Sequence, residues 1–459
     1  MKSWVVLGVL ALAAQADVEV APIFGDGMVV QREQPIPVWG RAEPGERVRV
    51  QLGPRSASTV AGKDGRWRVH VEALKAGGPF DLHIRAGNEV LFREVLVGDV
   101  WLCSGQSNME WPLSAMEGGE LAVARATRPD LRLFQVRQDA AEEPANELSG
   151  SWAKCTPESA AGFSAVGYVF GRELADALGV PIGLVQATWG GTPAEAWTAR
   201  ACMEAESGLA SSLERPARQP QSRPGALFNG MIAPLSPFAI RGVVWYQGEA
   251  NVNLDDAYRL LFPALIRCWR TQWAKEDMPF LFVQLAGYGK PADRFGDSAW
   301  ARLREAQAVA LELRHVGMAV AIDAGDEDIH PRDKLTVGRR LALVALSKVY
   351  AQPRTDALGP RFAKLDLEDG SARVSFANAG GLAARGGPPS GFAIAGEDRI
   401  WHPAQARIEG ECVVLSSPAV PRPVAVRYAW ADRPQVNLYD AAGLPAEPFR
   451  TDDWPAEGR

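Results

Sequence analysis

Val100-Trp101-Leu102-Cys103-Ser104-Gly105-Gln106-Ser107-Asn108-Met109-Glu110-Trp111-Pro112 decides how the rest of the chain is read. The stretch opens apolar, as the end of a buried strand does. It breaks at Ser104-Gly105-Gln106-Ser107 and continues into residues that can enter a helix or an ordered loop. A hydroxyl just past the end of a buried strand sits where open α/β sheets collect their ligands. Most serines in such turns only turn the chain. Ser107 acquires chemical meaning if a histidine, an acid and oxyanion donors come from elsewhere.

Outward from this stretch, strand and helix patterns alternate. Apolar strand candidates follow at Ile182–Ala187, Gly242–Tyr246, Pro279–Leu285 and Val316–Ile322. Helical spacing marks Phe163–Leu178, closed by Gly179, then Ala257–Trp273, Trp300–Leu313 and Thr336–Tyr350. Pro263 marks a kink or a late start in the second of these. The alternation predicts an α/β unit over residues 96–351, with a mostly parallel sheet covered on both faces. Between Cys202 and Leu227 a polar stretch broken by Pro216, Pro220 and Pro224 reads as an irregular excursion from the sheet.

The flanks are β-like. Over residues 17–95, short strands at Ile36–Gly40, Arg47–Leu52, Trp67–Val71, Asp81–Arg85 and Val90–Phe92 are divided by Glu43-Pro44-Gly45-Glu46 and Lys63-Asp64-Gly65-Arg66. This spacing predicts a small β-sandwich domain. Pro37 demotes its strand to an edge, and Asp64-Gly65 signals a hairpin. Over residues 352–459, Ala372–Phe376, Cys412–Leu415 and Val424–Trp430 predict a second β domain.

Composition narrows the function. The chain has 459 residues, 47% of them hydrophobic, and a net charge of -6. No basic run is interleaved with aromatics, which argues against nucleic acid as a partner. Residues 1–16 combine a charged start, an apolar run from Trp4 to Ala14 and the pattern Ala14-Gln15-Ala16. That is a secretory signal peptide cleaved near Ala16, so the mature protein is expected to be exported, periplasmic or extracellular. No later stretch reads as a membrane span. The five cysteines form no CxxC pair, so no metal site is expected. Cys103 and Cys268 read as buried small hydrophobes rather than bridge partners.

Of the five histidines, His70, His83, His315 and His402 read as structural. His330 differs. It stands in Asp323-Ala324-Gly325-Asp326-Glu327-Asp328-Ile329-His330-Pro331, just beyond a strand candidate, and the loop lacks the spacing of an EF-hand. A serine hydroxyl is scarcely ionised near neutral pH and needs such a base. The imidazole needs a carboxylate to fix its tautomer. Asp328 and Glu327 are both within reach of a tight turn, and Glu249 is a third candidate. Oxyanion donors are expected from other strand ends. Trp189-Gly190-Gly191-Thr192-Pro193 offers backbone N–H groups, and Trp245-Tyr246-Gln247-Gly248-Glu249-Ala250-Asn251 offers the amides of Gln247 and Asn251.

Ser, Gly, amide and His thus recur in order at strand ends, and this pattern resembles the SGNH (GDSL-type) hydrolase superfamily. Cys103-Ser104-Gly105-Gln106-Ser107-Asn108-Met109, Trp245-Tyr246-Gln247-Gly248-Glu249 and Asp328-Ile329-His330-Pro331 resemble the sialate O-acetylesterase family more closely. Met28-Val29-Val30-Gln31-Arg32 and Gly443-Leu444-Pro445-Ala446-Glu447-Pro448-Phe449-Arg450 extend the likeness over nearly the whole mature chain. The resemblance implies a flavodoxin-like SGNH α/β hydrolase domain between the two β domains. It also implies a secreted serine carbohydrate esterase that removes O-acetyl groups from sugars through an acetyl-enzyme, without cofactor or metal. Ser107 matches the nucleophile, His330 the base, and Gly191 or Gly190 the second block. Gln247 stands where Asn is usual, and Glu327 stands at the usual position of the acid. Asp328 and then Glu249 are the preferred acids. Backbone N–H of Ser107 and Gly191 with the Gln247 amide would hold the oxyanion, and Gln106 and Asn108 would position the sugar or the oxyanion. The alternative, a non-catalytic carbohydrate-binding protein on an SGNH scaffold, draws on the fifteen tryptophans. The complete Ser/His/acid set favours the enzyme.

Overall fold

The computed structural model describes residues 17–292, 296–352, 357–368 and 370–455. The expected signal peptide lies outside the described residues. The chain opens with β1 (Glu19–Val20), β2 (Val29–Gln31), β3 (Ile36–Arg41), β4 (Arg47–Leu52), β5 (Arg55–Val60), β6 (Arg66–Val71) and β7 (Gly77–Arg85). In β4 and β6 alternate residues are buried, among them Val48, Val50, Trp67 and Val69. β3 lies between β1 and β6, whereas β4 pairs with β5 and β7. Both predicted turns therefore carry the chain from one sheet to the other, and Asp64-Gly65 does not close a hairpin. The hairpin is Gly53-Pro54, between paired Leu52 and Arg55. Pro37 sits in a middle strand, not at an edge. It is tolerated because β1 pairs only with Gly40 and Arg41 and leaves Pro37 unopposed on that side.

β8 (Glu89–Gly105) is a single strand of 17 residues. Its first half pairs with β7 and, through Leu96–Gly98, with β2. Its second half is the centre of the main sheet. There follow β9 (Arg128–Gln135), β10 (Trp152–Cys155), α1 (Ala165–Leu178), β11 (Ile182–Thr188), β12 (Gly242–Tyr246), α2 (Asp255–Gln272), β13 (Phe280–Val283), α3 (Ala299–Ala308), β14 (Val316–Ala319) and α4 (Lys334–Lys348). The sheet order is β10-β9-β11-β8-β12-β13-β14, and only β10 runs antiparallel. Every residue of β11, β12, β13 and β14 is buried, which is the reason these strands read as continuous apolar runs. α1 and α4 pack on each other and on the sheet, and α2 packs on α3. α1 starts where Ser164 Oγ accepts the Gly167 N–H and ends at Gly179, as its periodicity predicts. α2 begins at Asp255 and continues through Pro263, so there is no late start.

One sequence expectation fails on pairing. Cys268 is a bridge partner: it is joined to Cys202 with a Cα–Cα distance of 5.9 Å. The short helix Arg200–Glu204 packs on α2 and brings the two cysteines together across 66 residues of sequence, a proximity that spacing alone does not reveal. β9 carries charges at Arg128 and Asp130 that pair with each other, and these mask its strand character.

The C-terminal region forms two four-stranded antiparallel sheets, which include Ser371–Ala377, Cys412–Ser416 and Ala425–Tyr428. Arg304 of α3 ties this region to the main sheet. Fully buried, it donates to the carbonyls of Leu285 and Ala286 on one side and Ala431 and Asp432 on the other. Burial lowers its guanidinium to about 9. Among the described residues, no helix is long and apolar enough to cross a membrane.

Candidate active site

β8 ends at Gly105, and the backbone there turns with φ 137°. A Cβ at this position would stand 2.1 Å from the Tyr246 carbonyl oxygen, so only glycine fits. The Gln106 N–H donates to that same carbonyl at 3.1 Å and carries the β8–β12 ladder up to the residue before Ser107. Ser107 then starts the helical turn Ser107–Glu110. Met109 and Glu110 donate to the Gln106 carbonyl. Ser107, as the first residue of the turn, has no intrahelical acceptor for its own N–H.

The loop after β14 returns His330 to this turn. His330 Nε2 lies 2.9 Å from Ser107 Oγ, and Nδ1 lies 3.1 Å from Asp328 Oδ1. The same Asp328 oxygen accepts the His330 backbone N–H at 2.8 Å. That backbone bond holds the Asp328 carboxyl below the usual carboxylate range, with a further contribution from the imidazole. The Trp111 indole stacks on the imidazole at 5.2 Å. Two other acids of the loop are occupied elsewhere. Asp323 forms a two-pronged pair with Arg340 at 2.6 and 2.8 Å, and Asp326 accepts the Glu327 N–H. Among the described residues, the imidazole's hydrogen-bond partners are Ser107 and Asp328, not Glu327. Glu249, a predicted acid, also fails to reach the ring: its Oε1 accepts from Asn108 Nδ2 instead. Among the described residues, no group of three or more His, Cys, Asp and Glu is arranged to hold a metal ion.

The glycine turn after β11 divides its labour. Gly190 lies against Ser107, and its N–H donates to Glu110 Oε2 at 2.6 Å. Gly191 follows in the left-handed region, and its N–H has no acceptor among the described residues. Of the two glycines, only Gly191 can offer a donor to an incoming group.

The amides of the third loop face inward, contrary to expectation. Gln247 is fully buried. Its Nε2 donates to Thr192 O and Asn251 Oδ1, and its Oε1 accepts from Tyr258. Asn251 is equally committed, to Ala194 N and Glu195 Oε2. Both residues brace the second and third loops together, because at the end of a strand covered by helices these side chains point into the protein. Gln247 has no N–H left for an oxyanion, and Asn251 is buried with its amide turned to Glu195. Gln106 is better placed. Its Oε1 accepts the N–H groups of Gly248 and Ala250, and its NH2 group has no protein acceptor among the described residues.

Three neighbours escaped the sequence reading as site residues: Glu110, Trp111 and Lys334. Glu110 and Trp111 lie within the opening stretch, three and four residues past the serine. Lys334 had a signal, since a cation in the first turn of a helix opposes the macrodipole. Two concavities border the site. One of about 420 Å³ is lined by Gly191, Glu195, Arg215, Arg218 and Ala250. The other, of about 760 Å³, is lined by Glu110, Gln135, Arg137, Gln138 and Thr188. A hydroxyl bonded to an imidazole that faces a carboxylate, with free N–H donors beside it, can attack an acyl carbonyl and stabilise the resulting oxyanion.

Comparison with known proteins gives the same direction. The family described as "carbohydrate esterase, sialic acid-specific acetylesterase" matches residues 97–347. Sialate O-acetylesterase of Homo sapiens is 31% identical, with 94% of this chain and 91% of that protein covered. The enzyme of the same name from Rattus norvegicus is 31% identical, with 92% of each chain covered. The crystal structure of a carbohydrate acetylesterase from Xanthomonas citri superposes with a TM-score of 0.90 at 41% identity, covering 95% of this chain and all of that one.

Proposed function

The chain belongs to the sialic acid-specific acetylesterase family of carbohydrate esterases, and from that membership we propose that it is an exported serine esterase that cleaves O-acetyl groups from glycans through an acetyl-enzyme. The observation that carries the mechanism is the 2.9 Å contact between Ser107 Oγ and His330 Nε2, backed by Asp328 on Nδ1. Ser107 Oγ attacks the acetyl carbonyl and His330 takes its proton. The oxyanion forms against the N–H groups of Ser107 and Gly191 and the side-chain amide of Gln106. Collapse expels the sugar oxygen, which receives the proton from His330. Water, deprotonated by His330, then attacks the acetyl ester. Acetate leaves and Ser107 regains its proton.

Supporting the SGNH reading of residues 96–351 is the placement of Ser107, Gly191 and His330 beyond the ends of β8, β11 and β14. The flanking β domains are assigned to residues 17–95 and 352–459. Export is supported by the signal-peptide pattern and by the Cys202–Cys268 bridge, since structural disulfides persist in oxidising compartments. The concavities lined by Gly191 and by Glu110 leave room for a glycan chain. The test is acetate release from a panel of acetylated glycans. Ser107→Ala is expected to lower kcat at least about a thousandfold with the fold intact. A variant with near-normal turnover overturns the mechanism.

A further inference from the structure

Lys334 takes no part in these steps, yet its position is costly. It is 1% exposed and is the first residue of α4. Burial opposes an ammonium charge, and so does the positive end of a helix. Burial brings its pKa down to about 7, against the opposing pull of Glu249. The ammonium lies over the rings of Trp111 and Tyr246 at 5.7 and 5.6 Å. It donates to Asn108 Oδ1 at 2.5 Å. Asn108 directly follows Ser107. Its Nδ2 donates to Glu249 Oε1 and, at 3.0 Å, to the carbonyl of Ile329, the residue before His330. Burial pushes the Glu249 carboxyl up, and its Oε2 has no hydrogen-bond partner among the described residues.

These partners dictate which way the Asn108 amide points. In its ammonium form Lys334 can only donate. The Ile329 carbonyl can only accept, and Glu249 Oε1 stays an acceptor even if Oε2 is protonated. Oδ1 must therefore face Lys334, and the NH2 must face the other two. Without Lys334, Oδ1 loses its donor, and the amide is held only through its NH2 side, by the Ile329 and Glu249 oxygens. Taking Ser107 and His330 as the reacting pair, we propose that Lys334 is a positioning residue: by holding Asn108 in one orientation it clamps the Ile329–His330 peptide to the nucleophile turn and keeps the imidazole within reach of Ser107 Oγ. Trp111, in contact with both the ammonium and the imidazole ring, adds a second brace between the same two residues.

Lys334 and Asn108 are both buried, so loss of the relay should reach kcat and spare KM. Lys334→Met is expected to lower kcat for a chromogenic acetate ester about 10- to 100-fold, the order expected for a small misplacement of a catalytic group, with KM within about twofold. Lys334→Gln retains an N–H donor and should recover part of that loss. It also serves as the informative variant if Lys334→Met does not fold by thermal melt. Because Lys334 acts through Asn108, the double variant Lys334→Met/Asn108→Ala should be no slower than the slower single variant. Wild-type kcat in Lys334→Met, losses that multiply in the double variant, or a rise in KM matching the fall in kcat would each overturn the proposal. Ser107→Ala, run alongside, separates the two readings. If it stays active, the serine mechanism fails. If it is dead while Lys334→Met is unimpaired, only the clamp fails.

Discussion

Replacing Glu110 by alanine removes the anchor of the Gly190–Gly191 turn. Glu110 Oε2 accepts the Gly190 N–H at 2.6 Å, and Oε1 accepts from Gln138 Nε2 at 2.7 Å. Gln138 in turn reaches the Thr188 carbonyl at the end of β11, at 3.2 Å. The carboxylate thus fastens both sides of the loop that presents Gly191. A hydrogen bond to a charged acceptor contributes about 1.5–3 kcal/mol. If all of that serves to hold the turn, its loss corresponds to a factor of about 10 to 150. The ceiling is independent: losing one oxyanion donor outright costs about 10²–10³ in kcat. The expected result for Glu110→Ala is therefore a fall in kcat of about 10- to 100-fold with KM nearly unchanged. Glu110→Gln, left with one acceptor oxygen for two donors, should fall between. Two readouts check this. One is steady-state hydrolysis of a chromogenic acetate. The other is the affinity of a boronic acid, whose tetrahedral adduct on the serine places an oxygen where the oxyanion forms. Inhibitor affinity should weaken in step with kcat/KM, as for any transition-state mimic. If Glu110→Ala keeps wild-type kcat and wild-type boronate affinity, the turn does not depend on Glu110. The assignment of Gly191 as an oxyanion donor then loses its structural support.

Two further outcomes follow from the same geometry. One oxygen of Asp328 serves both the ring and the backbone N–H of His330, so asparagine can keep the tautomer while losing the charge; Asp328→Ala should lower kcat about a hundredfold or more, Asp328→Asn less, and Glu327→Gln hardly at all, an order that steady-state kinetics of the three variants checks. The Cys202–Cys268 bridge closes 66 residues of chain, for which loop entropy predicts about 4 kcal/mol of stabilisation, so Cys202→Ala/Cys268→Ala should unfold at clearly lower denaturant, and thiol counting on the unreduced unfolded wild-type protein should find three reactive cysteines rather than five.

Which parts of the site could be read beforehand has a physical pattern. Ser107, His330 and Gly191 were legible because each needs a residue type at a strand end, and strand ends follow from apolar runs that break. Asp328 was legible as one of several acids, but only distances separate it from Glu327 and Glu249. Gln247 and Asn251 misled because sequence shows that an amide is present and not where it points. At the mouth of a buried strand the inward direction costs nothing if Thr192, Glu195 and Tyr258 supply partners, and they do. Lys334 and the Cys202–Cys268 pair were missed for a related reason. Their partners lie 226 and 66 residues away, and no local pattern encodes a contact of that range. Among the elements, the buried parallel strands and long helices were clear, whereas β9 was hidden by charges that neutralise each other.

The change in rhythm near Val95, from short alternating strands to buried apolar ones, is real in composition but not in the backbone. β8 passes through it without a break. Upstream it is a strand of the N-terminal sheet, held by β7 and β2. Downstream it is the central strand of the parallel sheet, and its last residue is the glycine before the nucleophile turn. The junction is tight. Asp99, fully buried, receives Arg32 at 3.0 Å from the N-terminal strands and Arg241 at 2.7 Å from the start of β12. Gln31 adds a further bond to the same carboxylate at 2.8 Å, and Tyr350, just past α4, one at 2.9 Å. These bonds hold the Asp99 carboxyl low against the burial that would raise it. A buried charge with partners from both sides is expensive to disrupt and specifies one arrangement. The flanking β region is therefore the fixed base of the strand whose other end presents Ser107. The turn at Gly105 needs such a base, because the close approach of β12 leaves no clearance for the strand to shift in register.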